Sequence, residues 1–521
     1  MNFLLFPRVF PRQTSDAPAP DSHRRPRALP LPQRTCSPPV MPTSRARRTL
    51  ALASAALIAS LASGRALAAG EDQALSPRGR EDNIGRVLLD HDADRFRVVD
   101  GGGAHNALNY DKPLEDQTTA TTCNPRDDFV RTSGGQFTLG GERFVFAGWN
   151  QWEVLEAASD APPPFRHLPL PGREHIVRVM NEAVRAGLKV VRMWAHTITR
   201  GHAAQVSPGV WNEEVLEGMD FVLDQARRRG LKIIWALADN WYPVGGVMQY
   251  VEWSATASKH QDFFTDESAM AIFESTFETL ANRVNTINGV AYKDDATIFA
   301  WNLANEARCQ GCDAEVMQSW IERVCAKFKT ADPNHLVGIG YEGFYHESSG
   351  RRKFRTNPGK GGSRWAAREG QDFVRNARAT CVDYVGVHVW PDNWNYDGVD
   401  NQVAYIESRV RDAVRDIGKP FVLEEFGYSV TDPDDASQVV ANEEGGRKTP
   451  VRDAYFASAF DASLEAARAG TLSGTLFWHW YDRGVGPGKY GVRSDDSTFE
   501  LIVEHAEAMN AITGAPRSCA A

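Results

Sequence analysis

From Phe129 to about residue 511 the chain repeats one pattern: a short apolar run, then a longer stretch whose apolar residues recur with helical period. The runs are Phe144–Asn150, Lys189–Trp194, Lys232–Leu237, Ile298–Glu306, Val337–Glu342, Tyr384–Trp390, Phe421–Phe426 and Thr475–Trp480. They are β-branched and aromatic and too short for helices, so each predicts a strand buried on both faces. Between them lie REHIVRVMNEAVRAGL and EEVLEGMDFVLDQARRRG, the latter ending in basic residues and Gly230, a normal helix stop. Eight strand–helix units over about 380 residues predict an α/β chain folded as one (β/α)8 TIM barrel, over 126–515. A doubly wound sheet would normally carry a Gly-rich phosphate loop after its first strand, and none is present. Ahead of the barrel, FVRTSGGQFTLGGERFVFAGWN predicts a β-hairpin, two alternating runs joined at Gly140-Gly141.

The segment before residue 126 breaks this pattern. Residues 41–68 read as an export signal: Arg45, Arg47 and Arg48, the apolar run Leu50 to Leu61, then Ala66-Leu67-Ala68 as a cleavage site. The apolar run is too short to span a membrane. Residues 1–40, rich in Pro and Arg, are expected to be an untranslated leader, with Met41 the start. Residues 69–125 carry Asp, Gly and Asn with little periodicity, as in a linker or extended arm. A secreted or periplasmic protein is expected, with no membrane attachment after cleavage.

Removing residues 1–68 takes ten Arg and two Asp from 58 basic and 67 acidic residues, leaving a net charge of −17. That argues against nucleic acid as a partner and suits a neutral ligand. The 14 Trp are consistent with sugar stacking, although a Trp is as often plain core. Six of the seven Cys survive cleavage in an oxidising compartment, and the pairing of Cys123, Cys325, Cys381 and Cys519 stays open. Cys309-Gln-Gly-Cys312 is the exception, since a local bridge needs little loop closure.

The candidate chemistry lies where barrel enzymes keep it, at the C-terminal ends of the strands. Polar residues cluster there: Asn150, Arg192, His196, Asn240, Asn305, Glu306, Glu342, His388, Glu425 and Trp478. A buried carboxylate is costly unless paired or used. Two such strand ends meeting in one cleft, Glu306 in TIFAWNLANEARC and Glu425 in KPFVLEEFGYS, would supply the acid/base and nucleophile of a retaining glycosidase. Their repulsion raises one pKa and leaves the other low. Arg192 would keep the nucleophile ionised, Asn305 would hold the sugar 2-hydroxyl, and Trp478 would floor the ring. Glu424 competes with Glu425, because alternation sends neighbours to opposite faces and spacing alone does not choose.

These motifs resemble glycoside hydrolase family 5 endo-β-1,4-mannanases of the plant, fungal and bacterial type, over about Phe129 to Ala511. The resemblance rests on VVRMWA (190–195), SPGVWNEEVLEGMDFVLDQARRRGLK (207–232), NRVNTINGVAYKDDATIFAWNLANEARC (282–309), DPNHLVGIGYEGFY (332–345), HVWPDNW (388–394), LEEFG (423–427) and GTLFWHW (474–480). It implies Glu306 as acid/base and Glu425, before Phe426-Gly427, as nucleophile. It implies that Arg192, Asn305, His388 and Trp478 line the subsite of bond cleavage, with Trp390, Asn240 and Glu342 also at the substrate. Arg308 would contact sugar on the leaving-group side. Trp241, in the family's Asn-Asn-aromatic loop (here Asp239-Asn240-Trp241), would stack on the non-reducing side. Fungal relatives close a local bridge like Cys309–Cys312. Two departures stand out. Ala307 replaces the family's Pro after the acid/base, loosening that turn. Trp390 replaces a Tyr whose hydroxyl bonds the nucleophile, so the donor becomes an indole N–H.

The implied protein is a monomeric endo-mannanase on β-mannan and manno-oligosaccharides, with no cofactor and no metal. The rival readings are an endo-β-1,4-glucanase of the same family and a non-catalytic carbohydrate-binding barrel. The second predicts loss of a carboxylate or of Asn305, and neither is lost.

Overall fold

The computed structural model describes residues 128–161, 172–196, 202–241, 246–359, 364–430, 440–441, 447–480 and 489–513. The expected leader, signal and arm, residues 1–125, lie outside them, as do Cys123 and Cys519.

Eight parallel strands form the barrel: β1 Phe146–Gln151, β2 Val190–Trp194, β3 Lys232–Ala236, β4 Ile298–Asn302, β5 Leu336–Gly338, β6 Val385–Val389, β7 Phe421–Phe426 and β8 Gly474–Phe477. Their order is β5-β4-β3-β2-β1-β8-β7-β6. Asp383 closes the ring between β5 and β6: its N–H donates to Val337 O (2.8 Å), and its Oδ2 accepts from Val337 N (2.7 Å). Every strand is the element its apolar run predicts, and every one is buried on both faces except for Lys232 at the start of β3. The runs were longer than the strands, because 303–306 leave the ladder yet stay bonded: Leu303 N–H to Gly338 O, Asn305 N–H to Ala238 O and Glu306 N–H to Gly340 O.

The helices pack outside. Glu213–Arg228 shows why: the Asn212 side chain accepts from Glu214 N (3.1 Å), acids fill the first turn and Arg227 and Arg228 the last. Its buried stripe is Val215, Leu216, Met219, Val222, Leu223 and Ala226. The main core lies between these helices and the barrel wall.

The expected hairpin is a three-stranded antiparallel meander, Arg131–Ser133, Gln136–Leu139 and Glu142–Phe144. The first alternating run folds back on itself at Gly134-Gly135, a second pair of positive-φ glycines like Gly140-Gly141. The meander plugs the N-terminal end of the barrel. Phe137 meets Phe299 (5.0 Å between centroids) and Tyr384 (5.7 Å) edge-on, and Phe144 packs on Phe146.

Cys309 is bonded to Cys312, and Cys325 to Cys381, a pairing the sequence left open. The second bridge spans 56 residues and ties the helix Ala314–Ala331 to the segment before β6. A Cys325→Ser/Cys381→Ser variant is expected to lose about 4 kcal/mol of unfolding free energy, against about 2 for Cys309→Ser/Cys312→Ser, because the longer loop regains more chain entropy. Urea unfolding of both without reductant checks this; equal losses would remove the loop-length account.

Candidate active site

Arg192, on β2, organises the C-terminal mouth of the barrel. It is fully buried, and its guanidinium reaches four side chains on or just past three other strands. Nε donates to Asn302 Oδ1 (2.7 Å), Nη1 to Asn150 Oδ1 (3.1 Å) and Glu425 Oε2 (3.1 Å), and Nη2 to Asn305 Oδ1 (2.8 Å). Asn150 passes the restraint on, donating Nδ2 to Glu424 O (3.1 Å).

Glu425 and Glu306 face each other here. Glu425 Oε1 accepts from Trp390 Nε1 (2.9 Å). The indole thus occupies the donor role that the resemblance gives to a Tyr hydroxyl. Glu306 Oε2 accepts from Trp241 Nε1 (2.5 Å), and its Oε1 lies 3.0 Å from His388 Nδ1. The turn at Ala307 is tied by hydrogen bonds on both sides. Glu306 sits in the left-handed region (φ +51°), pinned by its bond to Gly340 O, and Ala307 O accepts from Gln371 Nε2 (3.2 Å).

His388 is completely buried between three carboxylates. Its Nδ1 is also 3.6 Å from Glu425 Oε2, and its Nε2 is 3.8 Å from Glu424 Oε2. Its ring nitrogens are thus directed at the acids. Burial opposes its charge, but Glu425, Glu306 and Glu424 outweigh that and push its pKa up to about 10. Burial also opposes ionisation of Glu306, yet the bond and charge of His388, with Arg308 and Trp241, hold it down, to about 2. Burial and the Glu306 charge push Glu425 up to about 7 against His388, Arg192 and Trp390. That order reverses the one expected of a resting acid and nucleophile, because His388 gives its hydrogen bond to Glu306. The two carboxylates titrate as one unit that carries a single proton between about 2 and about 7.

The expectation that Glu424 and Glu425 point to opposite faces fails. In the β6–β7 register Val387 pairs with Leu423 and His388 with Glu425, so β7 carries one extra residue. This bulge turns both acids inward. Glu424 lies below the cleft, accepting from Tyr384 Oη (2.7 Å) and Asn302 Nδ2 (3.0 Å). A glycine opposite makes its room, since a Cβ on Gly386 would come within 2.1 Å of Glu424 Oε2.

Other expected residues are placed less directly. Arg308 stands over the Trp241 ring (4.8 Å) and beside Trp365 (5.2 Å). Its Nε is bonded to Glu342, whose other oxygen accepts from Gln371 Nε2 (2.5 Å). Glu342 is fully buried and braces Arg308 from behind. Trp241 is engaged by both Glu306 and Arg308. Asn240 donates its backbone N–H to Asn305 O (3.0 Å), and its side-chain oxygen has no hydrogen-bond partner among the described residues. Trp478, half-buried, packs against Trp194 (5.6 Å) and Trp390 (6.1 Å). His196 is buried with Nδ1 3.3 Å from Ala236 O.

Four polar residues of this network are not among the sequence candidates: Asn302, Tyr384, Gln371 and Asp239. Asp239 had a signal, as an acid where the resembled loop carries Asn. It accepts from Asn305 Nδ2 (2.9 Å), Trp241 N (3.1 Å) and Trp194 Nε1 (3.0 Å). Burial and the Glu306 charge push its pKa up to about 7 against those three bonds.

The ligating atoms of Glu306, His388 and Glu425 all lie within 4.8 Å of one another. A metal ion would fit that span, but the His388 nitrogen that would ligate it carries the proton given to Glu306. The same closeness suits carboxylates that act on one sugar carbon in succession.

The family model for GH family 5 β-mannosidase-like proteins matches residues 127–486. Mannan endo-1,4-β-mannosidase 7 of Arabidopsis thaliana is 35% identical over 70% of this chain and 80% of its own. Mannan endo-1,4-β-mannosidase 1 of rice, Oryza sativa subsp. japonica, is 34% identical over 67% and 78%. A family 5 mannosidase from Rhizomucor miehei, 24% identical, has the same fold, with a TM-score of 0.61 over 74% of this chain and 99% of that one. The chain belongs to glycoside hydrolase family 5, in its β-mannosidase-like group.

Proposed function

We propose that this chain is an exported, retaining endo-β-1,4-mannanase that cleaves internal β-1,4-mannosidic bonds in mannan, glucomannan or galactomannan. The observation that carries the mechanism is the approach of Glu306 and Glu425 within 4.8 Å, each fixed by its own N–H donors. Glu425 attacks the anomeric carbon and forms a glycosyl-enzyme. Glu306 gives its proton to the leaving oxygen, then takes one from the water that releases the sugar. The reactive form has the pair's single proton on Glu306. His388 Nδ1 reaches both carboxylates, so it gives its proton to Glu306 and takes the one on Glu425, with no net change in charge. Support for mannan comes from the curated relatives, both named mannan endo-1,4-β-mannosidases.

Reducing-sugar release from galactomannan and from carboxymethylcellulose tests the substrate. Faster turnover of galactomannan is expected; faster turnover of cellulose keeps the chemistry and removes the mannanase reading. Export is tested by the N-terminus of the protein collected outside the cell, expected at Ala69.

The sign of the pH dependence follows from the pair. As pH rises through about 7 the last shared proton leaves, both carboxylates are ionised and no acid remains, so kcat/KM falls. The bond from Trp390 Nε1 favours ionised Glu425, so Trp390→Phe should move that falling limb to higher pH while lowering the maximum by about tenfold. A pH–rate profile that drops in height without moving would show that the indole acts by packing alone.

A further inference from the structure

Asp239 is an acidic side chain at the mouth of the barrel to which the proposed mechanism gives no work. It is buried, at the turn after β3, and its backbone is locked to the strand-end of Glu306. Asn305 N–H donates to Ala238 O (2.7 Å), Asn240 N–H to Asn305 O (3.0 Å), and Val247 N–H to Asp239 O (2.8 Å). What distinguishes it is the chemistry of its partners. All three of its side-chain contacts among the described residues are N–H donors: Asn305 Nδ2, Trp194 Nε1 and the backbone of Trp241.

A carboxylate accepts at both oxygens and satisfies all three. An amide would not. Its single oxygen covers the Asn305 and Trp241 donors on the Oδ1 side, and its NH2 then faces the Trp194 N–H. In the other orientation its NH2 faces the Asn305 NH2. The site is therefore built for an acid at 239, unlike the Asn of the loop it resembles.

The consequence falls on Asn305. Its Oδ1 is held by Arg192 Nη2 (2.8 Å) and one Nδ2 hydrogen by Asp239 Oδ1 (2.9 Å). With both ends tied, the amide plane cannot rotate. The second Nδ2 hydrogen is the one left to give away.

We infer that Asp239 is a positioning residue that holds the Asn305 amide as a fixed hydrogen-bond donor, and thereby sets the enzyme's demand for a 2-hydroxyl on the sugar that Glu425 attacks. This rests on the reading of Asn305 as the group that meets the 2-oxygen. The same carboxylate anchors Trp194, which lies over Arg192 (4.8 Å) and against Trp478 (5.6 Å). The wall of that subsite and its hydrogen-bond donor thus share one anchor.

The test uses two activated aryl β-manno-oligosaccharides, identical except that one lacks the 2-hydroxyl on the sugar to be attacked. The readout is the ratio of their kcat/KM values. In the unsubstituted enzyme the ratio should favour the 2-hydroxy substrate by several orders of magnitude, and Asn305→Ala should collapse it. Asp239→Asn should cut the ratio by about 10- to 100-fold. The Asp239→Asn/Asn305→Ala double variant should be no worse than Asn305→Ala alone. If Asp239→Asn slows both substrates equally and leaves the ratio intact, Asp239 is structural and the inference falls. If the unsubstituted enzyme turns over both substrates but shows no preference for the 2-hydroxyl, the reading of Asn305 falls first and takes the inference with it. Should Asp239→Asn fold poorly, Trp194→Phe/Asp239→Asn removes the orphaned indole donor and allows the same ratio to be measured.

Discussion

Glu425→Gln is expected to lower turnover of galactomannan by on the order of 10⁴-fold or more, since no other group can form the covalent intermediate. Glu306→Gln should behave differently, and the difference separates their roles. Proton donation is worth about 10²–10⁴-fold, so the loss should be large on mannan, whose leaving group needs a proton. It should be small in the first step on an aryl glycoside whose phenolate leaves unaided, where the glycosyl-enzyme should instead accumulate. Azide should restore rate in Glu306→Gln by attacking that intermediate, giving a β-glycosyl azide. In Glu425→Ala it should enter from the opposite face and give the α-azide. The measurement is turnover together with the anomeric configuration of the azide product. The same configuration from both variants would remove the assignment of nucleophile and acid, whatever the rates.

The barrel and the two carboxylates were legible in the sequence for a physical reason. A strand buried on both faces has to be a continuous apolar run, so each of the eight announces itself, and the polar residue that ends it faces the mouth. What could not be read depends on register or on distance in three dimensions. The β7 bulge puts Glu424 and Glu425 on the same side, and alternation, the only rule available along a strand, predicts the opposite. The buried layer of Glu424, Tyr384 and Asn302 joins three strands across separations of 40 and 122 residues. Glu342 looks like a substrate ligand because it ends a strand; in the fold it is fully buried and its oxygens meet Arg308 and Gln371, neither adjacent to it in the chain. The meander is only half legible along the chain: Gly140-Gly141 marks one turn between alternating runs, while Gly134-Gly135, with the same positive-φ chemistry, sits inside what reads as a single run. A lone acid in a loop is usually solvated, and only the fold shows Asp239 buried among three N–H donors.

Arg192→Met should produce the largest loss of stability of any single change at the site. Methionine roughly fills the volume, but it removes the cation that faces both Glu424 (4.0 Å) and Glu425 (3.1 Å) and orphans the oxygens of Asn150, Asn302 and Asn305. Breaking a buried charge network from one side costs about 3–5 kcal/mol, because the remaining charges stay desolvated. The cost should depend on pH, with a definite sign. Burial raises the pKa of Glu424, but the nearby His388 imidazolium (3.8 Å) and Arg192 guanidinium, with the Tyr384 hydroxyl, outweigh it and hold the carboxyl below its ordinary value. A carboxyl depressed in this way adds stability above its unfolded pKa and loses it as pH falls through the folded one. Removing Arg192 cancels part of that contribution, so the gap between the unsubstituted protein and the variant should be wider above the ordinary carboxyl range, near about pH 6, than below it, near about pH 3. Activity should fall too, because Glu425 loses one of the influences that favour its ionised form and is protonated over more of the range in which Glu306 still holds a proton. Urea unfolding at both pH values, with kcat/KM on galactomannan alongside, measures each effect. A loss under about 1 kcal/mol that does not change with pH would mean that His388 alone neutralises the buried carboxylates, and that Arg192 serves only to orient Asn305.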